Sequence, residues 1–417
     1  MARGVRKGEA FHKSDETYLE ATANIIERSA ADGKITTEDA KLIKAYLAEI
    51  SAETGISPIR KYKIAIQLSG LRRFLPPFRE AVAPDLFAAI EEIKLDTKPD
   101  GSPRFKANTQ ADMIRFLKRF FLWLIENDYS RIPEEKVRKK IKAPAYERMT
   151  KTAEQLLEED EVRAMIDAAR TSRDRALIAV LYESGCRIGE VAALKWSDVR
   201  FTESQTAAIN TAGKTKKQRY IPLVVARSYL ATWKADYPGN PHGDSLVFLT
   251  TTTHGSLQYA GVVKQLRRIA ARAGIEKHIT PHLFRHSRIT HLLRKGVPEP
   301  VIKKLMWGHL ATDMLQTYGH LVDRDIDDAI AKLYGVVTPE TETSDALEPR
   351  QCPRCFSVWG PTLQHCGVCG APLTREGMAD MDDALSELQS LLMQDPVRAI
   401  EAIRLMREKG PSRSPAA

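Results

Sequence analysis

The chain has 417 residues, too many for one ordinary compact core, so two or three domains are expected. Its composition, 43% hydrophobic and 28% charged, is that of a globular, soluble protein, and a formal net charge of +9 favours polyanionic partners such as nucleic acid without requiring one. No apolar stretch follows the basic N-terminus as a secretory signal would demand, and the longest apolar run, Phe120 to Ile125, is far short of the roughly 20 residues of a membrane helix. Four of the five cysteines fall in one C-terminal cluster, which argues against a disulfide framework and for a cytoplasmic protein.

Residues 1–13 read as a flexible basic tail. From 14 to 130 the pattern is helical: Thr17–Ser29, a segment opening on the N-cap signature Thr36-Thr37-Glu38-Asp39 and ending near Gly55, then Ile56–Leu75 and Thr109–Asn127. The last two carry Arg60, Lys61, Lys63, Arg72, Arg73, Arg115, Lys118 and Arg119 among apolar residues. These basic groups read either as solvated stems lying along apolar surface or as a grip on a DNA backbone. Residues 131–151, charged and interrupted by two prolines, read as a linker whose run Lys136–Lys142 could follow phosphates.

A second domain, 152–336, opens on the capping pattern Thr152-Ala153-Glu154-Gln155. Helices are expected near Glu159–Arg170 and Arg173–Glu183. The period then shifts to two short strands, Ala207–Asn210 and Arg219–Leu223, joined by a lysine-rich hairpin, Gly213 to Lys217. Helical patterns return at Val224–Asp236, Gln258–Ala273, Pro281–Lys295, Pro298–Met306 and Asp323–Leu333. A polar linker at 337–350, a cysteine module at 351–374 and a helical tail at 375–417, broken at Pro396, complete the chain. The fold class is mainly α: an all-helical N-terminal domain, a mostly helical second domain with a small β-sheet, and a small metal-binding module.

Several residues of the second domain point to phosphodiester chemistry. Breaking such a bond needs neutralised non-bridging oxygens, an in-line nucleophile and a proton for the departing oxygen. Arg187, just past a helix-ending glycine, and Arg285, three residues from His282 on one helix, are suited to the first task because a planar guanidinium matches two phosphate oxygens. Tyr318 becomes a plausible nucleophile where cations or a base ease loss of its proton, and His282, His309 and the arginines offer that setting. Lys214, at the hairpin tip, could protonate a leaving oxygen. Taken singly, each has a plainer reading: a solvated arginine, a packed tyrosine, a lysine turn that repels edge pairing. Cys186 reads as an apolar filler.

Taken in order and spacing, the motifs resemble those of the tyrosine recombinases, the phage-integrase and Xer-like family. SGCRIGEVAALKWSDV is similar to the family's first arginine motif, AGKTKKQRYIPL to its lysine hairpin, HLFR to its His-x-x-Arg motif, and Trp307-Gly308-His309 and Thr317-Tyr318-Gly319-His320 to its last two elements. The resemblance covers 152–335 by motif, and 15–129 only as a helical core-DNA-binding module of the expected size. It implies the DNA breaking-rejoining fold and a catalytic set of Arg187, Lys214, His282, Arg285, His309 and Tyr318. It further implies a 3′-phosphotyrosyl intermediate formed without ATP or catalytic metal, double-stranded DNA as partner, a tetramer on DNA and accessory factors, with Asp323–Leu333 passing between neighbouring protomers. Integration or excision of a mobile element is the expected task. Xer-like chromosome-dimer resolution, nicking-closing of the type IB topoisomerase kind and non-cleaving DNA binding are the alternatives.

Cys352-Pro-Arg-Cys355 and Cys366-Gly-Val-Cys369 form paired knuckles suited to tetrahedral thiolate ligation of one structural zinc, with Gly367 and Gly370 allowing tight turns. So small a module would draw most of its folding energy from the metal. His365 is the weaker ligand, because four cysteines complete the shell. Such a ribbon is an addition to the usual family pattern and resembles that of archaeal integrase-like proteins.

Overall fold

The computed structural model describes residues 11, 14–147, 152–202, 206–212, 218–318, 346–394, 400 and 404. The basic tail at 1–10, the hairpin tip at 213–217 with Lys214, the expected helix Asp323–Leu333 and most of the residues beyond 394 lie outside the described set. The chain is mostly helical with small sheets and divides into two units, His12–Thr150, and Lys151–Ala417 with the first eleven residues.

In the N-terminal unit five helices share one aromatic core: α1 (Asp15–Ala31), α2 (Thr37–Thr54), α3 (Pro58–Leu71), α4 (Ala83–Leu95) and α5 (Ala107–Glu126). The apolar run in α5 is core: Phe120 and Phe121 are fully buried and meet each other and Phe78 edge to face. Among the described residues no helix is long and apolar enough to cross a membrane. Helix α2 begins as its sequence demands, with the Thr36 hydroxyl accepting the Asp39 amide and the Asp39 carboxylate accepting the Thr36 amide. That carboxylate also accepts from Phe78 N–H and Arg72 Nε, so Arg72 serves the core. Lys63 pairs with Asp112 at 2.6 Å, and Lys118 donates to the Arg138 and Ile141 carbonyls at 2.6 and 2.7 Å. Residues 131–147 are thereby fastened along α5, with Val137 and Ile141 buried and Asn108 exchanging two hydrogen bonds with Glu147.

The second unit carries α6 (Glu159–Ala168), α7 (Ser172–Ser184), α8 (Ile188–Ala192), α9 (Val225–Ala235), α10 (Tyr259–Arg272), α11 (Pro281–Arg294) and α12 (Glu299–Trp307). Between α8 and α9 lies an antiparallel sheet, β1 (Val199–Phe201), β2 (Ala207–Ala212) and β3 (Gln218–Leu223), in that spatial order. The register sets Ile209 opposite Ile221 and Ala207 opposite Leu223, all buried. Helix α7 is buried almost throughout, which is why its hydrophobic pattern has no polar face. It ends at Gly185, whose left-handed φ of 56° permits the sharp turn into Arg187. Two polar contacts lock α7 to its neighbours. The Tyr182 hydroxyl donates to Glu159 on α6 and lies 2.9 Å from His291 Nδ1 on α11. The buried Glu183 carboxylate accepts the amides of Val224, Val225 and Ala226, capping α9.

Beyond residue 345, β4 (Arg350–Gln351) and β5 (Val358–Trp359) pair within the cysteine module, and α13 (Arg375–Gln394) follows. Two elements were not visible as patterns. Helix α4 lies between the separately expected helical segments although Pro84 marks its first turn, and β1 adds a third strand where two were expected.

Glu183→Gln keeps the shape but removes the charge that three amides share. A loss of about 2 kcal/mol is expected, read as a lower urea midpoint of the C-terminal unit with m unchanged. A variant indistinguishable from wild type would mean that the cap contributes nothing net.

Candidate functional site

The site is built where α7 ends, β3 passes and α11 and α12 converge. Arg187 caps α8, and its backbone amide donates to Glu190 Oε2 at 2.9 Å. Its side chain, 45% exposed, reaches Glu190 Oε1 at 3.2 Å and so keeps a guanidinium edge towards solvent. Arg285, on α11, is 3% exposed. Its Nη1 donates to the Gly185 carbonyl at 2.7 Å and its Nη2 to the Met306 carbonyl at 2.9 Å, while the guanidinium lies 5.1 Å from the Trp307 ring centroid. Burial, and then the nearby Arg187 and Arg219 charges, push Arg285 down to about 10.

Arg219 is a site neighbour that the motifs did not single out. It donates to the Leu305 and Met306 carbonyls at 3.1 and 2.6 Å, to Thr211 Oγ1 at 3.3 Å, and to Glu190 in a short ion pair. The signal was its phase: on β3, position 219 alternates with the buried Ile221 and Leu223, so a cation stands on the core face. Three guanidiniums thus gather around the single carboxylate of Glu190 and the carbonyls at the ends of α7 and α12. Cys186 is buried beside them, and burial pushes its thiol up, consistent with a filler.

Tyr318 follows a single turn of tight helix, Met314–Thr317, and is 2% exposed. Burial pushes its phenol up to about 12, against the opposing pull of Arg285 and Arg187, which places both arginines within electrostatic reach of the hydroxyl. The ring beside it belongs to His286, with centroids 5.4 Å apart, and His286 in turn packs edge-on against His282 at 4.4 Å. His282 occupies the exposed first turn of α11 while Arg285 turns inward. His309 is half-buried and follows Gly308, whose φ of 77° ends α12 two residues after the carbonyl that Arg285 and Arg219 share. The structure therefore brings together Arg187, Arg285 and Tyr318, adds Arg219, Glu190 and His286, and sets His282 and His309 on the adjoining helix and turn. Lys214 lies outside the described residues.

A separate centre is formed by Cys352, Cys355, Cys366 and Cys369, whose sulfurs all lie within 4.8 Å of one another. The Cys352–Cys369 and Cys355–Cys366 sulfur pairs are 3.5 Å apart, close to the edge of about 3.8 Å that a tetrahedron of 2.3 Å zinc–sulfur bonds requires. These residues fit a zinc ion. His365 instead bonds the Gly377 carbonyl at 3.1 Å. Gly370 takes φ 71°, whereas Gly367 is needed because a Cβ would stand 2.5 Å from the Trp359 ring. The module docks on α9: the Gly360 amide donates to Ser228 Oγ at 3.0 Å, Tyr229 and Thr362 share a 2.7 Å hydroxyl contact, and a Cβ at Gly360 would meet the Tyr229 ring at 2.6 Å.

Residues 155–324 match the Phage integrase family. A tyrosine recombinase XerD of Ralstonia nicotianae is 30% identical over 264 residues, covering 61% of this chain and 79% of the relative. A tyrosine recombinase XerD of Listeria innocua is 33% identical over 185 residues, 42% of this chain and 61% of the relative, so the match spans about three fifths of that protein. In fold, the chain is similar to a lambda integrase dimer bound to a COC′ core site, with a TM-score of 0.52 and 18% identity over 68% of this chain and 77% of that one.

Removing Arg219 leaves the buried Glu190 side chain with only the half-exposed Arg187 as its cation. Arg219→Met is expected to destabilise the C-terminal unit by about 3 kcal/mol, and adding Glu190→Gln should recover part of that loss in a double-mutant cycle followed by urea denaturation. Strict additivity of the two changes would contradict the shared network.

Proposed function

The chain belongs to the tyrosine recombinase family, and on that premise we propose that it cleaves and rejoins double-stranded DNA through Tyr318, for integration or excision of a mobile element. The observation that carries the reading is a buried phenol that burial pushes up to about 12 while Arg285 and Arg187 pull it down, one of these guanidiniums still being open to solvent. In the proposed step the Tyr318 oxygen attacks a scissile phosphorus. A 3′-phosphotyrosyl bond forms and the bond to the 5′-oxygen breaks. Arg187 and Arg285 balance the charge that builds on the non-bridging oxygens, and His309 adds a hydrogen bond. Lys214 supplies the proton to the departing 5′-oxygen, and His282 assists removal of the phenol proton.

Because one phosphodiester is exchanged for another, resealing by a 5′-hydroxyl needs neither ATP nor a catalytic metal. The neutral, enclosed Tyr318 already lies in the field of the arginines, and reaction requires an incoming phosphate to reach it. Two such exchanges among four copies on two sites would complete recombination. The same chemistry serves Xer-like dimer resolution or nicking-closing, and the product distinguishes them.

With two plasmids carrying a candidate site, in EDTA and without ATP, the wild type is expected to yield recombinant junctions, and Tyr318→Phe none. Relaxed plasmid alone would favour nicking-closing, and junctions from Tyr318→Phe would remove that residue from its role.

For the cysteine module we propose one structural zinc held by Cys352, Cys355, Cys366 and Cys369. Zinc would supply the folding energy that so small a module lacks, and Gly360 and Thr362 carry the folded module onto α9. One zinc per chain is expected by atomic absorption, falling to near none in Cys366→Ser, whose α9 amides should exchange faster with deuterium. A metal-free wild type with protected α9 amides would refute this reading.

A further inference from the structure

Helix α13 has 20 residues, a length of about 30 Å, yet among its described residues only Gly377 is buried. That root is fixed to the cysteine module: His365 bonds the Gly377 carbonyl, the Gly377 amide donates to Thr374 Oγ1 at 2.9 Å, and a Cβ at 377 would stand 2.5 Å from the Gln364 carbonyl oxygen. Beyond the root, the apolar side chains face water. Met378, Met381, Leu385 and Leu392 are 55%, 40%, 50% and 39% exposed, and Leu388 is half-buried. A lone helix of this length is marginal in water, because helices draw most of their stability from packing an apolar face.

The spacing of that face identifies what it packs against. Positions 378, 381, 385, 388 and 392 step by three and four in strict alternation, the a and d positions of a heptad, which turn one straight seam towards a facing helix. Asp380, Asp383 and Glu387 fall on the outer positions c and f. At the flanking positions stand Asp382 and Gln389 (e) and Gly377, Ala384 and Leu391 (g), so two identical helices would bring no row of like charges together. The charge also excludes the chain's expected DNA partner: α13 carries five acids against one arginine in a protein of net charge +9. A seam that is apolar, regular and flanked by a single charge, Asp382, is complementary to itself, as a two-fold interface requires.

We propose that α13 pairs with α13 of a second copy of this chain, forming a short two-helix coiled coil that holds two molecules together without DNA. The cysteine module is the base from which the helix projects, and the contact uses none of the residues around Tyr318. At little more than two heptads the pairing is weak and reversible.

Sedimentation equilibrium of the full zinc-loaded chain, without DNA and from about 1 to about 100 µM, tests this. The mass of the wild type is expected to rise from 46.8 kDa towards about twice that value, while Leu385→Asp with Leu388→Asp stays at 46.8 kDa with its zinc content unchanged. Both positions lie outside the core, so the variant keeps its fold. Deuterium exchange supplies a second reading, with protection of 378–392 rising with protein concentration in the wild type alone. A wild type that remains monomeric throughout overturns the proposal. If those amides are protected in the monomer, another part of the same chain covers the seam. If they are unprotected, nothing does. Dimers that survive both aspartates place the contact elsewhere and overturn it equally.

Discussion

The second unit depends on holding arginine side chains out of water at the junction of α7, β3, α11 and α12. Arg285 and Arg219 both donate to the Met306 carbonyl, and Arg219 and Arg187 both pair with Glu190. One carboxylate and a few carbonyl dipoles stand against three cations, and Arg285 falls to about 10 through burial first and the neighbouring Arg187 and Arg219 charges second. A centre of this kind weakens the free fold and gains from any anion that reaches it. A phosphate brings the missing charge with a geometry that guanidinium edges match.

That requirement explains much of the surrounding frame. The buried Tyr182–Glu159–His291 contacts hold α11, the helix that carries Arg285, against α6 and α7. Glu183, one turn before Arg187, fixes the start of α9. Further along α9, Ser228 and Tyr229 receive the cysteine module. A continuous set of short contacts therefore runs from the four thiols to the segment bearing Arg187.

Local period and cap chemistry disclosed most helices of the fold, because Thr36, Gly185 and Gly308 act through neighbouring residues. The pairing of Arg187, Arg285 and Tyr318 came from motif order, since contacts across a hundred residues leave no periodic trace. Arg219 was passed over as one cation in a strand; its role appears only once β3 is seen to put that position among buried residues. Several basic residues that read either as solvated stems or as a DNA grip have internal partners, as Arg72 does with Asp39 and Lys118 with two carbonyls. Such partners lie tens of residues away, and composition cannot separate them from free charges. Helix α4 has no separate outline within a region that reads as helical throughout, because its apolar pattern is broad.

In the proposed reaction the enclosed phenol of Tyr318 is the group that takes up DNA. The most direct test is a nicked duplex that loses its short 5′-hydroxyl strand on cleavage, trapping the adduct in EDTA without ATP. Protease digestion and tandem mass spectrometry then locate the attached nucleotide. The account predicts a 3′-phosphate ester on the peptide containing Tyr318, absent in Tyr318→Phe. A nucleotide attached to any other residue, or an adduct that persists in that variant, would contradict it.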